Sequence, residues 1–537
     1  MPSHTTDTLL AALHDGACYP HPTCNIRAIH THISTIFLTG EFAYKIKKPV
    51  NFGFLDFTHL ADRKHFCEEE LRLNGRLAPQ LYLAAVPIYQ ASDGTYHLAP
   101  DSLTIPANTA EVVEYAVKMR QFDSAQQLDC LLANNTLPVT VMDALATQIA
   151  HFHQHIAVAA DTSHFGLPAT VMHPMQQNFE HLRACLQHLP HNLPQPQRLE
   201  CLSLLEKWTQ QEYLRLYSTL LTRKQAGHVR ACHGDMHVGN IALLGTEITI
   251  FDGIEFNDEL RWIDTISEMA FLVMDLEDRH APTHAHRVLN TYLSITGDYA
   301  ALNLLKFYKV YRAMVRAKVN ALRLSQLHDD PNAQAEVLAH CDSYLQLAMQ
   351  YTQPTTPALI LTHGLSGSGK SFGCRQLVDA LGWIQIRSDV ERKRLATPTA
   401  EQVSNAVSAP DPLYNQSMTA KTYARLAELA QQLLTDGYSV VVDATFLEAA
   451  KRQQFQQIAQ TLRLPFLILH FVGTPEQLAD NIQQRLLQGN DASDANWEVL
   501  QQQLQHYKPL QDDEPCVTVP CYGQIPIIAI QARLESS

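Results

Sequence analysis

Leu359–Ser371 reads LILTHGLSGSGKS, a β-prone apolar run, a glycine-rich turn and a lysine followed by serine. Its second half, Gly364–Ser371, fits GxxxxGK[ST] between a predicted strand and a helix predicted from Lys370. The chemistry behind the spacing is phosphate binding. Gly364, Gly367, Ser368 and Gly369 permit a turn that aims backbone N–H groups at phosphate oxygens. Lys370 can reach the outer phosphates, Ser371 can ligate Mg²⁺, and the helix N-terminus adds a favourable dipole. A Gly-rich turn that only packs is the competing interpretation.

Working outward, strands and helices alternate from residue 358 to 537: ALILT, a helix from Lys370, WIQI, a helix near 418–435, YSVVVD, another helix and PFLILHFV. That order predicts βαβ units and a three-layer α/β/α domain around a parallel sheet. YTQPTTP at 351–357 reads as a linker. Before it, 123–350 has helical periodicity, as in VMDALATQIAHFHQHI, interrupted by a loop and strand near 231–252. Residues 1–122 are β-rich: ISTIFLTGEFAYKIKKP holds two runs around Thr39-Gly40, and EVVEYAVK alternates like a strand. No internal repeat has a fixed period.

With 537 residues, 46% hydrophobic and 18% charged, the chain has the composition of a multidomain globular protein, not of a disordered one. A formal net charge of -14 argues against nonspecific duplex binding, which needs clustered Lys and Arg. Eleven cysteines without a CxxC pair, and an opening MPSHTTDTLL unlike a secretory signal, lead us to expect reduced thiols in the cytoplasm. No apolar run approaches the ~18 residues that span a bilayer.

SVVVDATF ends an apolar strand on Asp443, where a carboxylate can join a Mg²⁺ shell or cap a helix. In IQIRSDVERKRL, Asp389 follows a strand and Arg392 lies three residues on. At the carboxyl edge of a parallel sheet, such a pair can take a proton from a hydroxyl and anchor an anionic acceptor. The alternative is a helix cap beside a solvated arginine. On these motifs, residues 358–520 resemble the P-loop kinases that include polynucleotide 5′-kinase, gluconate kinase and the zeta toxins. The resemblance implies Asp389 as acceptor base, Arg392 on a substrate phosphate and QRLLQGNDASDANWEVLQQQ as a lid with following helix. Of the two lid arginines that face the transferring phosphate, only Arg485 matches; Leu487 and Gln488 stand near the second, leaving Arg452 or Lys508 to supply the charge.

In HGDMHVGN, five residues separate Asp235 from Asn240, the spacing that lets an aspartate deprotonate a hydroxyl while an asparagine reaches Mg²⁺. EITIFD then delivers Asp252 to the second metal position. FAYK places Lys45 on a strand as a phosphate-pairing lysine, and CEEELRLN offers Glu70 as its partner. Glu68 and Glu69 rival Glu70; Lys47 and Lys48 rival Lys45. VEYAVKMRQF could be the strand and hinge that meets adenine through backbone groups. His233 reads as a structural hydrogen bonder, and His151 and His155 of HFHQH, spaced i, i+4 on an amphipathic helix but lacking the HExxH glutamate, read against a metal site.

Residues 25–290 resemble the aminoglycoside phosphotransferase superfamily of kinase-like choline and aminoglycoside kinases, in the bacterial branch fused to a P-loop ATPase. FDGIEFNDELRWIDTISEMAFLVMDL carries that likeness, with Asp252 at the metal and Asp264 bracing the catalytic loop. The resemblance implies a bilobal protein-kinase-like fold, with lobes at 1–122 and 123–350. The resulting expectation is an α/β and α+β chain with two ATP- and Mg²⁺-dependent sites, each phosphorylating a small hydroxylated acceptor. Two rivals stand beside it: a C-terminal ATPase that switches the N-terminal kinase, and a C-terminal kinase of nucleic-acid ends or nucleotide sugars.

Overall fold

Thr39-Gly40 turns the chain between two alternating runs, Ser34–Leu38 (β2) and Phe42–Lys47 (β3), with Gly40 at φ 107°. The computed structural model describes residues 3–51, 53, 55–100, 111–187, 196–324, 331–396, 416–488 and 496–536. Two compact units emerge: Met1–Leu137 with Phe152–His181 and Gln210–Asp275, and Pro138–His151 with Leu182–Thr209 and Leu276–Ser537.

In the first unit, helix α1 (Ser3–Ala12) precedes a six-stranded antiparallel sheet. Its strands are β1 (Arg27–His30), β2, β3, β4 (Tyr82–Gln90), β5 (Tyr96–Leu98) and β6 (Glu111–Arg120), in the order β1-β2-β3-β6-β4-β5. Helix α2 (Leu60–Asn74) lies between β3 and β4 in the chain. The period of two divides β3 between two cores. Tyr44 and Ile46 pack with Phe37, Val86 and Leu13, whereas Ala43 packs with Cys67 of α2, Val117 and Met119. Lys45 and Lys47 therefore share the α2 side.

Helices α3 (Leu128–Ala133), α4 (Val141–His155), α5 (Pro168–Gln187) and α6 (Pro196–Gln225) follow. Then come β7 (Val229–Ala231), the hairpin β8 (Ile241–Leu244) and β9 (Glu247–Ile250), α7 (Asp258–Arg261), β10 (Trp262–Asp264) paired with β7, and α8 (Thr265–Asp278).

The second unit contains α9 (Pro282–Thr296), α10 (Leu302–Leu324) and α11 (Pro331–Tyr351), and then the parallel sheet. In chain order its elements are β11 (Leu359–His363), α12 (Lys370–Leu381), β12 (Ile384–Arg387), α13 (Ser388–Ala396), α14 (Gln416–Thr435), β13 (Val440–Asp443), α15 (Ala449–Leu462), β14 (Phe466–Val472), α16 (Pro475–Gln488), α17 (Trp497–His506), β15 (Cys516–Pro520) and α18 (Ile527–Glu535). The strand order β12-β13-β11-β14-β15 places the glycine-rich strand at the centre. All five residues of β11 are buried, as a strand covered on both faces requires. On one face Ile360, Val441, Leu467 and Leu469 pack with Cys374 and Leu377 of α12.

Helix α9 docks on α12 and β12 within this unit. Arg287 pairs with Asp379 at 2.7 Å, and Asn290 Oδ1 accepts the Gln385 N–H at 2.9 Å. Among the described residues no helix is long and apolar enough to cross a membrane.

On the side of β3 facing α2, two lysines share one buried carboxylate. Lys45 Nζ lies 2.8 Å from Glu70 Oε1 and Lys47 Nζ 2.6 Å from Glu70 Oε2, with all three side chains buried. Lys47 also pairs with Glu255. Burial opposes the Glu70 charge, but the two lysines hold its carboxyl down at about 2. Glu69 instead pairs with Arg72 at 2.6 Å, and Glu68 stands 3.8 Å from Lys64 on the surface. Glu70→Ala leaves two buried ammonium groups short of a partner and is expected to destabilise the protein by about 3–5 kcal/mol. Glu69→Ala is expected to cost under about 1 kcal/mol. Urea unfolding at pH 7 checks both, and equal costs would refute the assignment. Because Glu70 is depressed from 4.5 to about 2, its contribution is complete above 4.5 and is lost as pH falls through that window.

Candidate active sites

The first site is assembled on a loop between β7 and β8. Gly234 takes φ 92°, and a Cβ there would stand 2.8 Å from Leu260 O, so the turn after His233 requires glycine. The His233 ring bonds Phe251 O through Nε2 at 2.9 Å and takes the Asp235 N–H on Nδ1 at 3.3 Å. This is the neutral tautomer with hydrogen on Nε2, and burial pushes the ring's pKa down accordingly. The loop's backbone is held from α8: Glu268 Oε1 accepts the N–H groups of His233 at 2.8 Å and Gly234 at 2.7 Å. Glu268 Oε2 meets His153 Nε2 at 2.7 Å. Burial works against this carboxylate, but the His153 hydrogen bond and neighbouring groups keep it ionised to lower pH than usual. Cys232 completes a buried trio whose ligand atoms lie within 4.8 Å, but both Glu268 oxygens already accept N–H donors.

The arrangement presents Asp235 with its side chain 37% exposed, while buried Asn240 donates through Nδ2 to Asp235 O at 3.0 Å and Oδ2 at 3.2 Å. Asp252 follows β9 at φ 61°, its N–H on Tyr82 Oη at 3.1 Å, and reaches Lys45 Nζ at 2.5 Å. Burial opposes the Lys45 charge, but Asp252, Glu70 and Glu255 outweigh it and hold the ammonium protonated. Lys45, Glu70 and Asp252 thus form one charged chain, while Asp235 and Asn240 form a second cluster in the same unit. Lys48 lies apart, its ammonium on Thr31 O at 2.5 Å.

One sequence expectation changes here. Asp264 does not brace the loop; it receives Arg223 at 2.7 and 2.8 Å and the Ile266 N–H at 3.0 Å, so the bracing falls to Glu268. In HFHQH, His151 and His155 are exposed, and the histidine between them, His153, reaches the site. The signal for Glu268 was available as a single acidic residue in the apolar helical run TISEMAFLVM.

The second site surrounds the β11–α12 turn. Gly367 and Gly369 both sit at φ 83°, and side chains there would meet Leu478 O at 2.5 Å and Tyr522 N at 2.8 Å. Ser368 Oγ is buried in this cradle without a hydrogen-bond partner, a donor suited to an anion. Lys370 Nζ donates to Leu365 O at 2.7 Å, and Ser371 Oγ donates to Asp443 Oδ2 at 2.6 Å. Burial raises the pKa of the Asp443 carboxyl, against the opposing pull of Arg387 and Ser371. Gln385 Nε2 adds a bond to the same oxygen at 3.0 Å. Hydroxyl and carboxylate oxygens of this kind fit Mg²⁺, a hard cation.

A cavity of about 1110 Å³ joins Lys370, Ser371 and Asp443 to Asp389, Arg392 and Arg387. Asp389 lies in the first turn of α13, and Arg392 Nη1 is 3.5 Å from its Oδ1. Arg485 is on α16, with its side chain outside the described residues, as is part of the lid sequence at 489–495. Arg452 is not a spare cation: it is buried, paired with Glu514 at 2.6 and 2.8 Å, and bonded to Phe446 O at 2.9 Å. Lys508 is exposed and outside the cavity lining.

Residues 359–510 match a protein family described as AAA domain. The uncharacterized protein Rv2004c of Mycobacterium tuberculosis (strain H37Rv) is 29% identical over 484 residues, covering 89% of this chain and 91% of that protein. Among solved structures, Plasmodium vivax ethanolamine kinase aligns with a TM-score of 0.37 at 9% identity, over 62% of this chain and 82% of its own. A gluconokinase from Sinorhizobium meliloti aligns with a TM-score of 0.23 at 22% identity, over 34% and 91%. The parallel sheet, its Gly364–Ser371 turn and the matched segment make 359–510 a P-loop domain. The antiparallel sheet, its Lys45–Glu70 pair and the Asp235–Asn240 loop give the region before it a kinase-like fold.

Proposed function

We propose that both parts transfer the γ-phosphoryl group of ATP, with Mg²⁺, to a hydroxyl of a small-molecule acceptor, each at its own site. The kinase-like part occupies 1–122 and 123–350, and the P-loop part 358–537, joined through 351–357. The observation that carries this reading is the Ser371–Asp443 bond beneath the glycine cradle, in the same cavity as Asp389. Phosphate-holding groups and a carboxylate free of the cradle thus face one space.

In the first site, Asp235 takes the acceptor's hydroxyl proton as the oxygen bonds to the γ-phosphorus and the bond to the leaving ADP oxygen breaks. Asn240 and Asp252 hold the metal, and Lys45, fixed by Glu70, holds the phosphates. In the second, Asp389 takes the proton, Ser371 and Asp443 hold the metal, and Gly364, Gly367, Ser368, Gly369 and Lys370 cradle the phosphates. Arg392 anchors an anionic acceptor, and Arg485 faces the transferring group. Bound Mg²⁺ supplies charge neutralisation for the phosphates.

A second reading, an ATP-driven switch in the P-loop part, draws on the path from Asn290 of α9 through Gln385 to Asp443. ATPase activity without acceptor separates the two: a kinase hydrolyses ATP slowly until a hydroxylated acceptor is added.

The purified chain, incubated with Mg·ATP and a bacterial small-molecule extract, is expected to yield phosphate-shifted products by mass spectrometry. Asp235→Ala is expected to slow one product by about 10²–10⁴-fold, the range for a general base, and leave the other. Lys370→Ala is expected to show the converse. ATP consumption without any product would sink the two-kinase reading in favour of the switch.

A further inference from the structure

Strand β12 is an edge of the parallel sheet, so alternate backbone groups along it face away from β13. Ile384 turns its N–H inward, to Ser439 O at 2.9 Å, which leaves the backbone of Gln385 facing outward. Helix α9 covers that position. Asn290 Oδ1 accepts the Gln385 N–H at 2.9 Å, and Tyr299 Oη, between α9 and α10, stands 3.5 Å from Gln385 O. The Asn290 amide is itself oriented, because its Nδ2 donates to His286 O at 3.1 Å, one turn back in the same helix. Asn290 and Tyr299 are both buried.

The Gln385 side chain enters the candidate site. Register pairs Gln385 with Val441 and Arg387 with Asp443, and the period of two puts Gln385, Arg387 and Asp443 on one face of the sheet. All three line the 1110 Å³ cavity. Gln385 Nε2 donates to Asp443 Oδ2 at 3.0 Å, Ser371 Oγ donates to the same oxygen at 2.6 Å, and Arg387 Nε lies 3.7 Å from it. Among the described residues no hydrogen bond is made to Asp443 Oδ1. A carboxylate held through one oxygen by two donors cannot rotate without breaking both bonds, and its other oxygen is kept for a ligand.

We propose that Gln385 and Asn290 are positioning residues for the P-loop site, a proposal that rests on Ser371 and Asp443 as the groups that hold a divalent cation. Asn290 fixes β12 at Gln385, and Gln385 fixes the rotation of Asp443, so that Oδ1 and the lone pairs of Ser371 Oγ are set for one cation. Partners of this kind, one step behind a metal ligand, orient the ligand and tune its affinity.

Titration of the full chain with Mn²⁺ in the presence of ADP, followed by electron paramagnetic resonance, tests this. The Mn²⁺ binding lost in Ser371→Ala is assigned to this site, and Lys370→Ala marks the ADP binding in EDTA that belongs to it. Gln385→Leu, which keeps most of the volume but not the donor, is expected to weaken that Mn²⁺ binding by about 10- to 100-fold and to leave ADP binding in EDTA unchanged. Asn290→Leu is expected to weaken Mn²⁺ in the same sense, and Asn290→Asp, which keeps the acceptor, to bind it as wild type does. Wild-type Mn²⁺ affinity in Gln385→Leu would overturn the proposal, as would equal weakening of Mn²⁺ and of ADP in EDTA, the mark of a general loss of structure. Equal Mn²⁺ affinity in Asn290→Leu and Asn290→Asp would overturn the part given to Asn290. Absence of any Ser371-dependent Mn²⁺ binding in the wild type would instead overturn the metal reading of Ser371 and Asp443, and the positioning with it.

Discussion

Two ammonium groups buried against one carboxylate set the geometry of the kinase-like part. An unpaired charge cannot stay in a low-dielectric interior, so Lys45 and Lys47, placed on one side of β3 by the strand's period, must find acids there. Glu70 serves both, one oxygen each, which fixes the rotation of α2 about its axis relative to the strand. The remaining acids come from the segment after β9, with Asp252 on Lys45 and Glu255 on Lys47. One electrostatic requirement thus joins a strand, a helix and a loop.

The Asp235 loop solves a different problem by a related device. Its peptide N–H groups at His233 and Gly234 are buried and must be satisfied, but the φ of Gly234 takes them out of any regular ladder. Glu268 supplies the acceptors, and His153 supports Glu268 in turn. Around Gly364–Ser371 the relation reverses: there the backbone provides the cradle and the ligand is expected to provide the charge. A carboxylate anchors one loop, while glycine geometry leaves the other able to take an anion.

Local patterns exposed much of this architecture in the sequence. Alternating residues revealed β2, β3 and β6, apolar runs revealed β11, β13 and β14, and two short strings located both loops. What stayed hidden depends on tertiary orientation. Glu68, Glu69 and Glu70 are adjacent, and successive helical residues point about 100° apart, so only the packed face of α2 distinguishes them. Lys45 and Lys47 lie two apart on a strand, which makes both reach Glu70 and leaves spacing unable to choose. Arg452 read as a spare cation because Glu514, which holds it, lies 62 residues downstream. Asp264 ends β10 and Glu268 lies in the first turn of α8, yet the first meets Arg223 and the second the loop amides.

Both candidate metal carboxylates stand where an apolar strand gives out, Asp252 just after β9 and Asp443 as the last residue of β13. The position follows from competing demands. A strand interior satisfies the backbone but buries its side chains, whereas an open loop exposes the side chain without holding it. At a strand end the backbone is still anchored and the carboxylate can turn toward a ligand. Each of the two is engaged by another candidate site group, Lys45 for Asp252 and Ser371 for Asp443. Lys370, resting on Leu365 O, is likewise held by a neutral acceptor that an anionic oxygen can outcompete. These contacts hold the charged and polar groups in place within each unit.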